Sequence, residues 1–279
     1  MTPVILFNNA ILNSSIDASS QASGYLADYL RDGNTFTSWK SGSDSRSSLT
    51  IDFGSALFIS AIGIIGHNLG EVKAVVKLLK SENGTTWEQV LTEFTVLNNN
   101  GILKLLSTSA EAQYIELERG GFLELEQGGY LPRENSGQFS ARYWKITIDS
   151  IGVPEIAVLY FGEFIQFEFP PDSPVIPLRE KIIASSAFSN EGHLLGTDLR
   201  YKSGEASFTF VDISASWFKT QYQKFWDECG LDPFLFAVDL ENRPDDVYYM
   251  KLADDSVKEE PLSIFNNVDQ LQISMVKIG

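Results

Sequence analysis

The stretch LRDGNTFTSW, residues 30–39, gathers oxygen-bearing side chains around a glycine and ahead of a tryptophan. Asp32 and Thr37 offer hard oxygen ligands of the kind that hold a cation such as calcium. Gly33 can take the positive φ of a tight turn, and Trp39 can anchor the loop in a core. The same residues also read as a surface turn in which Asp32 and Thr37 satisfy nearby amides without a metal. Other chemistry is sparse. His67, in IIGHNLG at 64–70, is one of two histidines. As a base it would need a nucleophile and an orienting acid, and no G-x-S-x-G element accompanies it, so it reads as a hydrogen-bonded histidine at a strand end or turn. Cys229 is the one cysteine. It excludes an internal disulfide and a cysteine-based zinc site, and reads as a small buried residue near a helix end. The acidic pairs Asp245–Asp246, Asp254–Asp255 and Glu259–Glu260 imitate glycosidase carboxylates, but adjacent residues on exposed loops point apart. P-loop, dinucleotide, HExxH and EF-hand patterns are missing from the sequence, and an enzyme is not expected.

The elements that must position these residues are mostly strands. Short alternating runs, SLTIDFG (48–54), AVVKLLKS (74–81), QYIELER (113–119), RYWKITID (142–149), SFTFVDI (207–213) and LQISMVKI (271–278), are bounded by Gly, Asn and Ser clusters. That pattern predicts a mainly β chain of sandwich or barrel class. The clearest helix is SASWFKTQYQKFWDECG, near 214–229, where Ser214 or Ser216 can cap the start and Gly230 can close the end. A shorter helix is expected around SGYLADYLRDG. FEFPPDSPVIPLRE, at 167–180, carries four prolines in eight positions and reads as an extended connector. The predicted organisation is a domain at 1–165, a Pro-rich linker at 166–177 and a second β-rich domain at 178–279.

Of 279 residues, 37 are acidic and 21 basic, a formal charge of −16 that repels phosphate backbones and anionic lipids. Neither nucleic acid nor membrane insertion is expected. The N-terminus MTPVILFNNAILNSS has no basic n-region and reads as a first strand, so a soluble, cytoplasmically made protein is expected.

GGFLELE at 120–126 is echoed by GGYLPRE at 128–134. Paired glycines before an aromatic suggest a hairpin or loop excursion. It reads either as a floppy insertion or as a platform presenting Phe122, Tyr130 and Phe139 to a ligand or partner. Trp87 is expected to pack beneath a turn, and Tyr143 and Trp144 straddle a strand so that one of them is core.

Taken in order, SIDASSQASGYLADYLRDGNTFTSW, SLTIDFGSALFISAIGIIGHNLG, SENGTTWEQV and ARYWKITIDSIGVPEIAVLYFGE resemble the discoidin, or coagulation factor 5/8 type C, branch of galactose-binding-like domains, over roughly residues 10–163. The resemblance implies a jelly-roll-like β-sandwich whose end loops often hold a sugar, a lipid head or a protein surface. It also implies a structural calcium, for which the matching positions are Asp32, Asn34 and Thr37 in the loop and Glu155 on the last strand, with backbone carbonyls completing the shell.

GIIGHNLG followed by SENGTTW is similar to discoidin-like domains of bacteriophage and prophage tail proteins. The second half, with its aromatic helix between PFLFAVD, VYYMKLAD and flanking strands, is similar in layout to small β domains of virion tail tips and baseplates. These resemblances imply a structural component of a phage tail tip or baseplate, made in the host cytoplasm and assembled into the virion tail. In that setting it would dock to other tail proteins, form a three-fold or six-fold homo-oligomer and present its first domain for assembly or host-glycan contact. The alternatives are a free carbohydrate-binding module or lectin, or an accessory subunit of a glycan-degrading enzyme.

Overall fold

The computed structural model describes residues 2–43, 46–106, 116–117, 121–122, 139–172, 179–230, 232–253 and 267–278. The strands, in chain order, are β1 (Val4–Phe7), β2 (Ser15–Ala18), β3 (Trp39–Lys40), β4 (Ser47–Phe58), β5 (Ala61–His67), β6 (Val75–Ser81), β7 (Glu88–Thr95), β8 (Ile102–Leu105), β9 (Glu116–Leu117), β10 (Gly121–Phe122), β11 (Ser140–Asp149), β12 (Glu155–Gln166), β13 (Arg179–Phe188), β14 (Leu194–Ser214), β15 (Phe234–Ala237), β16 (Val247–Leu252) and β17 (Asn267–Lys277). The chain is mainly β, as its alternating runs predict. Among the described residues no helix is long and apolar enough to cross a membrane.

One layer is a five-stranded sheet in the order β2-β4-β11-β6-β7. Its period-two strands work as the sequence requires: Leu49 and Ile51 on β4, Val76 and Leu78 on β6, and Trp144, Ile146 and Ile148 on β11 all turn inward and are fully buried. They meet Ile62 and Ile64 of β5 and Ile156, Leu159 and Phe161 of β12, which belong to the opposing layer. The Trp144 ring stands edge-on to Phe161 at 5.8 Å, and its indole N–H donates to the Ala141 carbonyl at 3.2 Å. Tyr143 takes the other face, with the Arg142 guanidinium 4.7 Å from its ring. Trp87 follows the turn at 82–86. It is half-buried, with the Lys145 ammonium 3.9 Å above the ring.

The opposing layer runs β13-β14-β17-β16-β15-β1-β12-β5-β8, with β3 paired to β12. Its hydrogen bonding does not break where the proline-rich stretch divides the sequence. β1 lies between β12 and β15, pairing Ile5 with both Ile165 and Phe236, so the second half extends the sheet of the first. Close approach at that seam is paid for by Gly162, where an added Cβ would sit 2.4 Å from the Phe7 carbonyl oxygen. Each half still keeps a core of its own. In the second, Phe208, Phe210, Phe234 and Phe236 of the sheet pack under Phe218, Tyr222 and Phe225 of a helix, α1 (215–229). Ser214 caps α1 by accepting from the Trp217 N–H at 3.2 Å, and Gly230 closes it at φ 53°. α1 contains one π turn, Phe218–Tyr222. A third cluster at the junction joins Leu6, Tyr160, Leu235, Val247 and Tyr249.

In place of the shorter predicted helix stands a 3₁₀ segment, Ala27–Arg31. Of the QYIELER run, the described residues 116–117 pair with 121–122 as a small separate hairpin.

Candidate functional site

The loop after the 3₁₀ segment folds around Asp32. One carboxylate oxygen accepts from the Asn34 amide at 2.8 Å and the other from the Thr37 hydroxyl at 2.7 Å. Gly33 adopts φ 72°, the left-handed conformation expected of it. Trp39 is fully buried and its indole N–H reaches the Ser20 carbonyl at 3.2 Å, so it anchors the loop as the sequence predicts.

Glu155 opens β12, and its register brings it to the same loop: Glu155 and Ile156 pair with Lys40 and Trp39. Its carboxylate accepts from the Ser38 hydroxyl at 2.6 Å and lies 3.4 Å from the Lys40 ammonium. Thr37 and Ser38, adjacent in sequence, therefore each hold one of two carboxylates that lie more than a hundred residues apart. The start of β12 is fixed by Asn68, whose side-chain oxygen accepts from the Glu155 N–H at 2.8 Å and whose amide donates to the Val153 carbonyl at 3.0 Å. IIGHNLG thus serves the loop through Asn68. His67 is buried and fully bonded, with Nε2 2.7 Å from the Asn100 carbonyl and Nδ1 accepting from the Leu69 amide at 3.2 Å. Those bonds place the proton on Nε2, and burial pushes the imidazole pKa down against the opposing pull of the Asn100 carbonyl.

The second half also reaches this loop. The Tyr249 hydroxyl, on a side chain only 3% exposed, donates to the Gly33 carbonyl at 3.2 Å. Burial first, with Asp232 and Asp32 adding to it, raises that phenol's pKa, so it stays a neutral donor.

As a cation site, the donor set is right in type: two carboxylates, the Thr37 and Ser38 hydroxyls, and loop carbonyls are all hard oxygens. The obstacle is Lys40, which already neutralises Glu155 and would have to swing aside. Among the described residues no three of His, Cys, Asp and Glu converge, and Asn34 enters the loop geometry through its backbone amide.

Of the three residues of the expected aromatic platform, only Phe139 has a described side chain. Tyr130 lies outside the described residues, and Phe122 is described only as a backbone position in β10. Phe139 is partly buried against the sandwich core, and its carbonyl accepts from the Ile59 amide at 3.1 Å. The aromatics that do stand at the loop were not singled out in the sequence. Phe36, midway between Asp32 and Trp39, is 86% exposed, and Tyr25 is 39% exposed with the Lys40 ammonium 5.4 Å from its ring. The available signal was an aromatic flanked by two threonines, which a polar turn does not need.

Chemically, this end of the sandwich offers an open aromatic face beside carboxylates, hydroxyls and an ammonium. That combination suits a ligand with an apolar face and several hydroxyls. A separate concavity of about 340 Å³ is lined by Val4, Leu103, Lys104, Asp239 and Pro244. Its Asp239 carboxylate is engaged by the Asn242 backbone and side-chain amides at 3.1 and 2.9 Å. Cys229 is buried and donates to the Asp232 carbonyl at 3.2 Å; burial, with Asp232 adding to it, pushes the thiol up to about 12, which suits a structural thiol.

Comparison with known proteins identifies the segment that carries the loop. Residues 15–121 match the F5/8 type C domain. The match takes in the Asp32–Trp39 loop and β2 through β9, reaches the start of β10 and ends before β11 and β12, so Glu155 lies outside it. Similar solved structures include CpGH89CBM32-6 produced by Clostridium perfringens, at 19% identity and TM-score 0.39 over 56% of this chain and 99% of that one. CpGH89CBM32-5 from the same organism, in complex with GalNAc-β-1,3-galactose, is 16% identical with TM-score 0.39 over 56% of this chain and 100% of that one. The Ruminococcus gnavus GH29 fucosidase E1_10125, in complex with fucose, is 17% identical with TM-score 0.38 over 56% of this chain and 26% of its own. No curated protein matches the chain.

Proposed function

We propose that the protein is a non-catalytic carbohydrate-binding protein whose F5/8 type C region holds a terminal sugar at the loop end of the sandwich. The observation that carries the reading is the family match at 15–121, which contains a hydrogen-bonded polar loop with an open ring, Phe36, at its centre. In this reading the ring takes the C–H face of a pyranose, while Tyr25, Lys40 and the loop oxygens meet its hydroxyls. The same loop is proposed to take a structural calcium through Asp32, Asn34, Thr37 and Glu155, stiffening the platform. The test is a glycan array probed with the full chain, headed by GalNAc-β-1,3-galactose and fucose, the sugars in the complexes of similar structures. Selective binding to a sugar class supports the proposal, and silence across the array counts against it.

A second reading is a structural component of a tailed-phage tail tip or baseplate, made in the host cytoplasm, docked to other tail proteins and turning its F5/8 type C end toward a host glycan. The observation in its favour is the second half: it continues the sheet of the first and sends the β13–β14 hairpin away from the body. An accessory subunit of a glycan-degrading enzyme would use the same sugar end, and gene neighbourhood separates these settings.

A further inference from the structure

β17 joins β14 from Glu205 to Ser214 and goes no further, whereas β13 pairs with the residues before it. The segment 179–204 is therefore a two-stranded arm, about 30 Å long at roughly 3.3 Å per residue, projecting from the sheet. From Ala184 to Arg200 every residue except Ser189 is exposed. The turn at its tip is well formed: Gly192 adopts φ 82°, and the Ser189 hydroxyl accepts from the Glu191 and His193 amides at 3.3 and 3.1 Å.

The arm has one apolar face. The hydroxyls of Ser186 and Thr197 meet at 3.1 Å, so these opposed residues share a side. Two residues away on β13, Ala184 faces Leu199 and Phe188 faces Leu194 on that same side, and Ile182 follows by alternation. Ile182, Phe188, Leu194 and Leu199 are 62%, 61%, 59% and 55% exposed, and Leu195 at the bulge is 69% exposed. Over 184–199 the opposite face carries Ser185 against Asp198 and Ala187 against Gly196.

An isolated two-stranded hairpin is marginal in water, and this one leaves its apolar face uncovered. With roughly 150–250 Å² for a large side chain, about three fifths of it exposed, the five apolar residues present on the order of 500 Å². Two such faces pressed together bury on the order of 1,000 Å², the lower range of specific interfaces. Charge favours a like partner. Residues 179–204 hold four basic and three acidic side chains, so the negative charge of the chain lies elsewhere. Two bodies repel, whereas two arms meet with little net charge and hold the bodies apart.

We infer that the arm is a self-association element: its apolar face packs on the same face of a second copy of this chain. The contact is independent of the sugar end, so its test reads mass and leaves glycan binding aside. Sedimentation of the full chain over about 1–100 µM gives a concentration-dependent rise to twice the monomer mass. Phe188→Asp with Leu199→Asp holds the chain at monomer mass, with unchanged far-ultraviolet circular dichroism because both side chains are exposed. Ser185→Asp with Ala187→Asp, on the other face, leaves the rise intact. A wild-type chain that stays monomeric, an apolar-face variant that associates like wild type, or an opposite-face variant that is equally monomeric would each overturn the assignment. The first result would transfer the face to a different macromolecule.

Discussion

Tyr249→Phe removes one hydroxyl from a buried ring and leaves the rest of its packing in place. The lost bond is the one to the Gly33 carbonyl, through which the second half of the chain holds the Asp32 loop. A neutral hydrogen bond contributes about 0.5–1.5 kcal/mol net, so a loss of about 1 kcal/mol is expected. For a chain of this size that lowers Tm by roughly 2–4 °C. The effect should be local as well as global. If the tether sets the closed state of the loop, about 1 kcal/mol corresponds to an exchange rate about fivefold faster for amides at 32–38, the Asn34 amide above all. Hydrogen–deuterium exchange with peptide resolution reads this loop apart from strands β4 and β11, whose amides open through global unfolding and speed up by no more than the global loss. A melting temperature within 1 °C of wild type, together with unaltered loop exchange, would refute the claim that the second half positions the loop; 1 °C here is about a third of the shift expected from the lost bond.

Two further outcomes follow from the same loop and its neighbour His67. Adding calcium to chelated protein should raise Tm, and Asp32→Ala should abolish that response; an equal response in the variant would move the cation elsewhere. His67 is neutral in the fold and its pKa is held below 6.5. Its contribution is therefore complete above that value and is lost as pH falls through the folded pKa, because the unfolded chain takes the proton first. Asp52 and Asp149, held low chiefly by hydrogen bonds from Arg142 and Arg46, lose their contributions only below the ordinary carboxylate value of 3.8. Urea midpoints should fall between pH 7 and 5 in the wild type and fall less in His67→Gln; equal slopes would contradict the assignment.

The strands that were legible in the sequence were those with one dry and one wet face. β4, β6 and β11 alternate because one side meets the core and the other meets solvent. β5 and β12 are buried on both sides along most of their length, so they carry no period, and nothing local signals that β1 inserts between β12 and β15. Pairing of that kind depends on residues far apart in sequence. The caps of α1 were legible because Ser214 and Gly230 act within one turn. In the loop, Gly33 and Trp39 could be read for the same local reason, whereas the meeting of Ser38 and Lys40 with Glu155 depends on the β3–β12 register. Phe36 escaped notice because hydrophobicity predicts burial, and only the direction of the loop shows that this ring faces outward.

The most direct test of the carbohydrate-binding account is a calorimetric titration of the full chain and of Phe36→Ala with the glycan class that the array selects. The account predicts saturable binding by the wild type and a loss of tenfold or more in the variant, about 1.4 kcal/mol. The melting temperature should be unchanged, because the ring makes its contacts outside the core. Equal affinity in the two proteins, or no heat with any glycan, would contradict it.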